Sequence, residues 1–347
     1  MKDLFEVKQT DIECYTNFIM DFLPDKIIDI HTHVYLKEHL IQGEKTDMRL
    51  ASWPSLVAKD NSFEDILETY ALMFPGKIVI PLMFPFPIKI KDIDVSNQYI
   101  LDCIGENKSY GLILANPEWE ADVFERKIRQ GDFKGAKVYL NFAPAHIPQN
   151  EICIFDFLPH HQLSVLDRYG MIVMLHIPRD NRLKDPVNLA QIIEIERRYP
   201  SIKLIIAHVG RAYCKEDVGN AFEILAETKN VLFDFCANTN QWVFKQLIKA
   251  VGPKRILFGS DLPITRMRMK RICENGTYVN IIPKGLYGDV SNDKNMREIE
   301  GEEADRLTFF LYEEILAFRL AAIEMKLSKD DIKDIFYDNA MQLLMNR

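Results

Sequence analysis

Eight short apolar runs, rich in β-branched residues and spaced along 347 residues, constrain this chain more than any other feature. They are KIIDIH (26–31), KIVIPLMF (77–84), YGLILAN (110–116), GAKVYLNF (135–142), MIVMLHI (171–177), IKLIIAHVG (202–210), VLFDFCA (231–237) and RILFGSD (255–261). Each is too short for a helix, and each is followed by a helical pattern or a long loop. Continuous rather than alternating hydrophobicity marks strands covered on both faces, as in a parallel sheet. Eight strand-helix units predict an α/β fold, a (β/α)8 TIM barrel, because a six-stranded doubly wound sheet leaves two runs unassigned. No phosphate-cradling G-x-G-x-x-G or Walker loop follows the first run, which argues further against a dinucleotide fold.

The pattern reads as one domain over residues 1–347, with the barrel from about 26 to 262 and C-terminal helices over 303–347. Two segments exceed ordinary βα loop length, 34–76 and 262–302, and both should sit over the same barrel mouth. The alternative is a barrel with a separate small helical domain built from 34–76. Helix signals between the runs are legible: Asp185 and Pro186 supply an N-cap and a first-turn proline, and Pro200 stops that helix after Arg198. Ser328 is the expected cap of the last helix.

With 43 Lys and Arg against 51 Asp and Glu, the net charge is −8, which excludes a polybasic nucleic-acid or membrane binder as the first reading. The six cysteines are widely spaced without a C-x-x-C pair, so neither a disulfide scaffold nor a cysteine zinc site is expected. Residues 78–90, the best candidate for a membrane span, contain three prolines, and the N-terminus lacks the apolar core of a signal peptide. A cytoplasmic protein acting on a small molecule, with self-association left open, is the expectation.

His31 ends the first run and His33 follows two residues on, a spacing that points both imidazoles to one face of a strand. His176 closes the fifth run, His208 the sixth and Asp261 the eighth. Four of the eight histidines thus fall at the C-terminal strand ends, where barrel enzymes do their chemistry. Neutral imidazoles with a carboxylate suit a divalent transition metal. His160 and His161, by contrast, follow Pro159 at the start of a helical pattern and read as structural.

The order H-x-H, histidine, histidine, aspartate resembles the amidohydrolase superfamily of metal-dependent hydrolases. The segments IIDIHTH, IIAHVGR, LFGSDLP and IFYDNAMQLL are similar, more narrowly, to the amidohydrolase-related branch that includes aminocarboxymuconate-semialdehyde decarboxylase-like enzymes. The resemblance implies one divalent metal, zinc first and manganese second, held by His31, His33, His176 and Asp261. It implies Asp261 as the proton-transferring base and His208 as the polarising residue. It also implies a water-activating hydrolase of amide, lactone or ester bonds, or in the alternative a non-oxidative decarboxylase. A metal-containing protein that only binds a metabolite is the reading from a different class.

Lys137 lies inside the fourth run, where some members of the superfamily carry a carbamylated lysine bridging two metals. It can equally point outwards, bind a substrate carboxylate, or pair with Asp29. Arg179 and Arg211 each follow a site histidine by three residues, and the loop after Asp261 holds Arg266, Arg268, Lys270 and Arg271. Guanidinium groups on loops around a barrel mouth predict a carboxylate-bearing substrate, with Lys137, Arg179, Arg211 and Arg266 as its expected contacts. Trp53, Phe84, Phe86, Trp119 and Tyr287 are candidate caps for an apolar part of the ligand. The loop after Asp261 lacks the aromatic-rich turn expected of the decarboxylases, and Gln342 stands where the family often has arginine.

Overall fold

The computed structural model describes residues 4–41, 57–88, 90–106 and 109–345. Lys26–His33 (β1) and Ile78–Phe84 (β2) pair in parallel, and β2 pairs onward with Tyr110–Gly111 (β3). A six-stranded sheet runs in sequence order from Ile113–Leu114 (β4) through Gly135–Val138 (β5), Ile172–Leu175 (β6), Lys203–Ile206 (β7) and Leu232–Asp234 (β8) to Ile256–Leu257 (β9). β3 and β4 are one strand interrupted at Leu112, whose N–H donates to the Met83 carbonyl at 2.9 Å. At the other edge, β1 joins the chain leaving β9. Ile30 N–H donates to Phe258 O at 3.0 Å, His33 N–H to Leu262 O at 2.8 Å, and Asp261 N–H to His31 O at 2.8 Å. These bonds close the ring, and the fold is a TIM barrel.

From the fourth run onward the strands are shorter than the apolar runs that encode them. The last residues of each run leave the sheet and turn into the barrel mouth. Asp261 has φ +58° and Ala237 φ +49°, so neither continues a strand. The barrel interior is filled by Ile28, Ile30, Leu82, Phe84, Leu112 and Met174, and its lower end is plugged by Ala340 and Leu344 of the last helix, Asn339–Met345. Burying such a side chain is worth about 1.5–3 kcal/mol each.

Helix starts follow the caps in the sequence. Asp185 accepts from Val187 and Asn188 N–H ahead of the helix Pro186–Arg198, and Ser328 accepts from Asp331 N–H ahead of Lys329–Lys333. Ser62 caps Phe63–Met73, whose Phe63, Ile66 and Tyr70 enter the same core as the barrel helices. That helix lies in the long segment after β1; residues 42–56 of the segment, Trp53 among them, lie outside the described residues.

The segment after Asp261 is not a loop but a small sheet. Lys270–Glu274 (β10) and Thr277–Pro283 (β11) form an antiparallel hairpin, and Met296–Ile299 (β12) adds in parallel. Ile282, Met296, Met267 and Met269 pack with Phe86, Ala237 and Phe310, which seats this sheet beside the barrel mouth. One cysteine expectation is overturned here. Cys214, after β7, and Cys273, on β10, form a disulfide with Cα atoms 5.9 Å apart, across 59 residues of sequence. Wide spacing hid the pair, because contact is made by the fold rather than by the local chain. Among the described residues, no helix is long and apolar enough to cross a membrane.

Candidate active site

β1 delivers His31 and His33 to the mouth, buried to 0% and 4% exposure. Gly259 makes this approach possible, since a Cβ there would lie 2.7 Å from the His31 Cβ. The next residue, Ser260, donates from its backbone N–H to Asp29 Oδ1 at 2.8 Å, and Tyr70 OH donates to Asp29 Oδ2 at 2.8 Å. Burial lifts the Asp29 carboxyl to about 6 against these bonds. Asp29 is thus a structural tie between β1 and the residues before Asp261, and it does not pair with Lys137 as the sequence allowed.

The imidazoles are oriented from behind. His31 Nδ1 meets Asp234 Oδ2 at 2.9 Å, and His33 Nδ1 meets the Pro85 carbonyl at 3.3 Å. Carboxylate and carbonyl oxygens only accept, so each Nδ1 carries the ring proton and each Nε2 presents a lone pair. Burial holds both rings below the ordinary histidine value, the His31 ring furthest, with the Lys137 ammonium adding to the effect there. The two Nε2 atoms lie 3.6 and 3.3 Å from Asp261 Oδ1. Burial pushes the Asp261 carboxyl up, but its contacts with the surrounding imidazoles outweigh burial and bring it down to about 2.

Three buried acceptors therefore converge, with only the Lys137 Nζ, 3.4 Å from His31 Nε2, beside them, an arrangement that suits a divalent cation. His176 supplies a further sign: its Nδ1 is buried without a hydrogen-bond partner. Its ring lies 4.8 Å from Tyr139 and 5.3 Å from His208, on the wall of the same cavity. His31, His33 and Asp261 thus fit a divalent ion, with His176 on the wall beside them. A second group, His31, His208 and Cys236, does not. There the His31 Nδ1 is committed to Asp234, and the His208 Nδ1 donates to Cys236 O at 3.2 Å. Burial pushes the Cys236 thiol well above its ordinary range, so it stays protonated and donates to Asp234 Oδ1 at 2.9 Å.

His208 begins a turn that the sequence did not announce. His208, Val209, Gly210 and Arg211 have φ of +57°, +50°, +61° and +57°, a full left-handed turn. Such a conformation costs about 1–2 kcal/mol for each non-glycine residue and persists where surrounding contacts impose it. Here His208 N–H donates to Asp234 Oδ1 at 2.7 Å, and Arg211 Nη1 donates to the Pro178 carbonyl at 3.2 Å. The turn puts both side chains on the cavity wall.

The family model named Amidohydrolase matches residues 28–345 of this chain. The chain belongs to the amidohydrolase family. It is an enzyme of that metal-dependent family. Among solved structures, Amidohydrolase 2 from Bifidobacterium longum subsp. infantis is similar at TM-score 0.53 and 15% identity, covering 93% of this chain and 100% of that one. A probable 2-pyrone-4,6-dicarboxylic acid hydrolase from Acinetobacter baumannii, with citric acid bound, gives 0.54 and 14% over 92% and 98%. A dihydroxybenzoic acid decarboxylase from a Polaromonas species, with manganese and 2-nitroresorcinol, gives 0.55 and 14% over 93% and 98%. No curated protein matches by sequence.

Within this amidohydrolase, the cations expected to meet substrate divide. Arg211 lines the cavity, and the other three do not. Lys137 points into the barrel beside the ion set, its Nζ 3.4 Å from His31 Nε2 and 4.8 Å from the Phe84 ring, and burial brings it down to about 8. Arg179 pairs with the capping Asp185 at 3.1 Å. Arg266 turns to Asn61 and the Asp65 carbonyl and lines a different hollow with Tyr287. Of the aromatic caps, Phe86 lines the cavity and Phe84 packs at 5.1 Å against the His31 ring, while Trp119 stacks under Lys127 elsewhere. His160 and His161 bond to Tyr199 OH at 2.9 Å and Trp119 O at 3.0 Å, as structural residues do.

Sequence reasoning passed over Asp234, although a carboxylate inside the apolar run VLFDFCA was a visible signal. It also passed over Tyr139, Tyr213 and Tyr278, whose phenols line the cavity. Burial keeps Tyr139 protonated and raises Tyr213 to about 12.

Proposed function

We propose that this amidohydrolase is a hydrolase that cleaves a C–N or C–O bond of a small carboxylate-bearing molecule with one divalent ion, zinc before manganese. The observation that carries the reading is the convergence of His31 Nε2, His33 Nε2 and Asp261 Oδ1, with the unpartnered His176 beside them. The chemistry such an ion supplies when bound is Lewis acidity, which lowers the pKa of water and polarises a carbonyl.

The chain's own groups handle the protons. Asp261, ionised and facing the cavity, accepts the proton of the attacking water and returns it to the leaving atom. His208 acts as the electrophile. The Cys236 carbonyl anchors the ring through Nδ1, which leaves the Nε2 edge for the oxygen on which negative charge develops. Asp234 keeps His31 in the tautomer whose Nε2 carries the lone pair. Tyr139, Tyr213 and Phe86 wall the site against bulk water, and Arg211 receives the carboxylate. The cavity measures about 140 Å³, where one water needs about 10–15 Å³, so the substrate is of the order of ten heavy atoms.

Turnover by the metal-loaded protein of a panel of lactones, amides and unsaturated or aromatic carboxylic acids tests the reading. Ring opening or amide cleavage supports it, and release of carbon dioxide assigns a carboxy-lyase instead. Silence across metals and substrates leaves a metabolite-binding protein.

A further inference from the structure

Arg271 sits on β10, opposite Asn280 of β11, and its guanidinium lines the same cavity as the histidines. It is 8% exposed. Three rings box it in, with its central carbon 4.7 Å from Tyr213, 4.5 Å from Tyr278 and 4.5 Å from Phe310. Nε donates to Asn280 Oδ1 at 2.8 Å and Nη1 to Ala237 O at 2.5 Å. Among the described residues, neither Nη2 nor any other atom of Arg271 meets a carboxylate, and Arg211 likewise has backbone carbonyls as its partners.

A guanidinium this buried is expensive to leave without a counter-ion. Arg268, three residues away, shows the satisfied case, paired with buried Asp11 at 2.6 Å. Arg271 instead has an aromatic box and two neutral acceptors that fix its plane while leaving the Nη2 edge available. The cavity's lining carboxylate is Asp261, which the ion set already uses, so two guanidinium charges remain unmatched. Planar forks of this kind receive oxyanions in paired hydrogen bonds.

We infer that Arg271 is a specificity-determining residue that receives a second oxyanion of the substrate, a carboxylate or a phosphate group, so that the preferred substrate is a small dianion. This rests on the reading of the cavity as the active site and adds the second charge to it. Asn280 and the three rings preset the fork, so the anion meets an ordered receptor.

Calorimetric titration of the metal-loaded protein tests the subsite without turnover. The probes are the diacids from succinate to adipate, their monoacid counterparts, and 3-phosphonopropionate. In the wild type, at least one diacid or the phosphonate should bind about 10-fold or more tighter than its monoacid match, the better of the two naming the oxyanion. Arg271→Met should weaken that dianion by about 10- to 100-fold while the monoacid shifts by less than about 2-fold, with Arg271→Lys in between. Asn280→Asp places a carboxylate on the fork without removing it and should weaken the dianion in the same sense. If no dianion outbinds its monoacid in the wild type, or if Arg271→Met and Asn280→Asp both bind dianions as the wild type does, the assignment is wrong. A dianion bound through Arg271 yet never turned over leaves the subsite standing and removes the hydrolase reading.

Discussion

Asp261 combines two demands, an oxygen within reach of both β1 imidazoles and a basicity that Asn lacks. Asp261→Asn keeps the shape, so turnover should fall by about 10³-fold or more while much of the metal is retained, as rate and elemental assays on one preparation would show. His208→Asn should keep the metal and lower the rate by about 10² to 10⁴. Release of the metal would instead make His208 a ligand. Lys137 gives a prediction in stability. Its ammonium titrates near 8 in the folded protein and near 10.5 when exposed, so between those values the unfolded chain holds more protons. Stability of the metal-free protein should therefore rise with pH through that window and be lowest below it. Lys137→Met should flatten this rise and increase Tm at pH 7, as thermal melts across pH would report. At this scale the gathering of His31, His33, His176, His208 and Asp261 around one cavity was legible, because each stands at the end of an apolar run. Apart from Arg211, the cations facing the cavity were not, because sequence distance from a site residue does not say which side of a loop faces it: Arg266 and Arg271 are five residues apart and line different hollows.

The left-handed turn His208–Arg211 is the element that sets the site's polar wall. Gly210 has φ +61°, and a Cβ there would meet Leu183 Cδ1 at 2.5 Å. Gly210→Ala adds backbone strain to that clash and should lower stability by about 1–3 kcal/mol in denaturant titrations, with kcat falling as His208 shifts. Sequence alone read IIAHVG as strand to its end, because apolar residues fit a strand and a strained turn equally well. The hairpin β10–β11 was legible in principle. Asn275-Gly276 between KRICE and TYVNIIP is a strong two-residue turn signal, and both residues have positive φ.

For the whole molecule, eight apolar runs determined the barrel because each must be covered on both faces, and a closed parallel ring with outer helices does that for all eight. What the pattern could not supply was closure by the chain after β9 and the disulfide from the β7 loop to the hairpin, since both depend on residues far apart in sequence. The account of function rests on one claim, that His31, His33, His176 and Asp261 hold a divalent ion. Elemental analysis of the purified protein, beside its His31→Ala variant, tests it most directly. The account predicts close to one ion per chain, zinc predominating, and its loss in the variant; a content near zero after expression in metal-supplemented medium would contradict it.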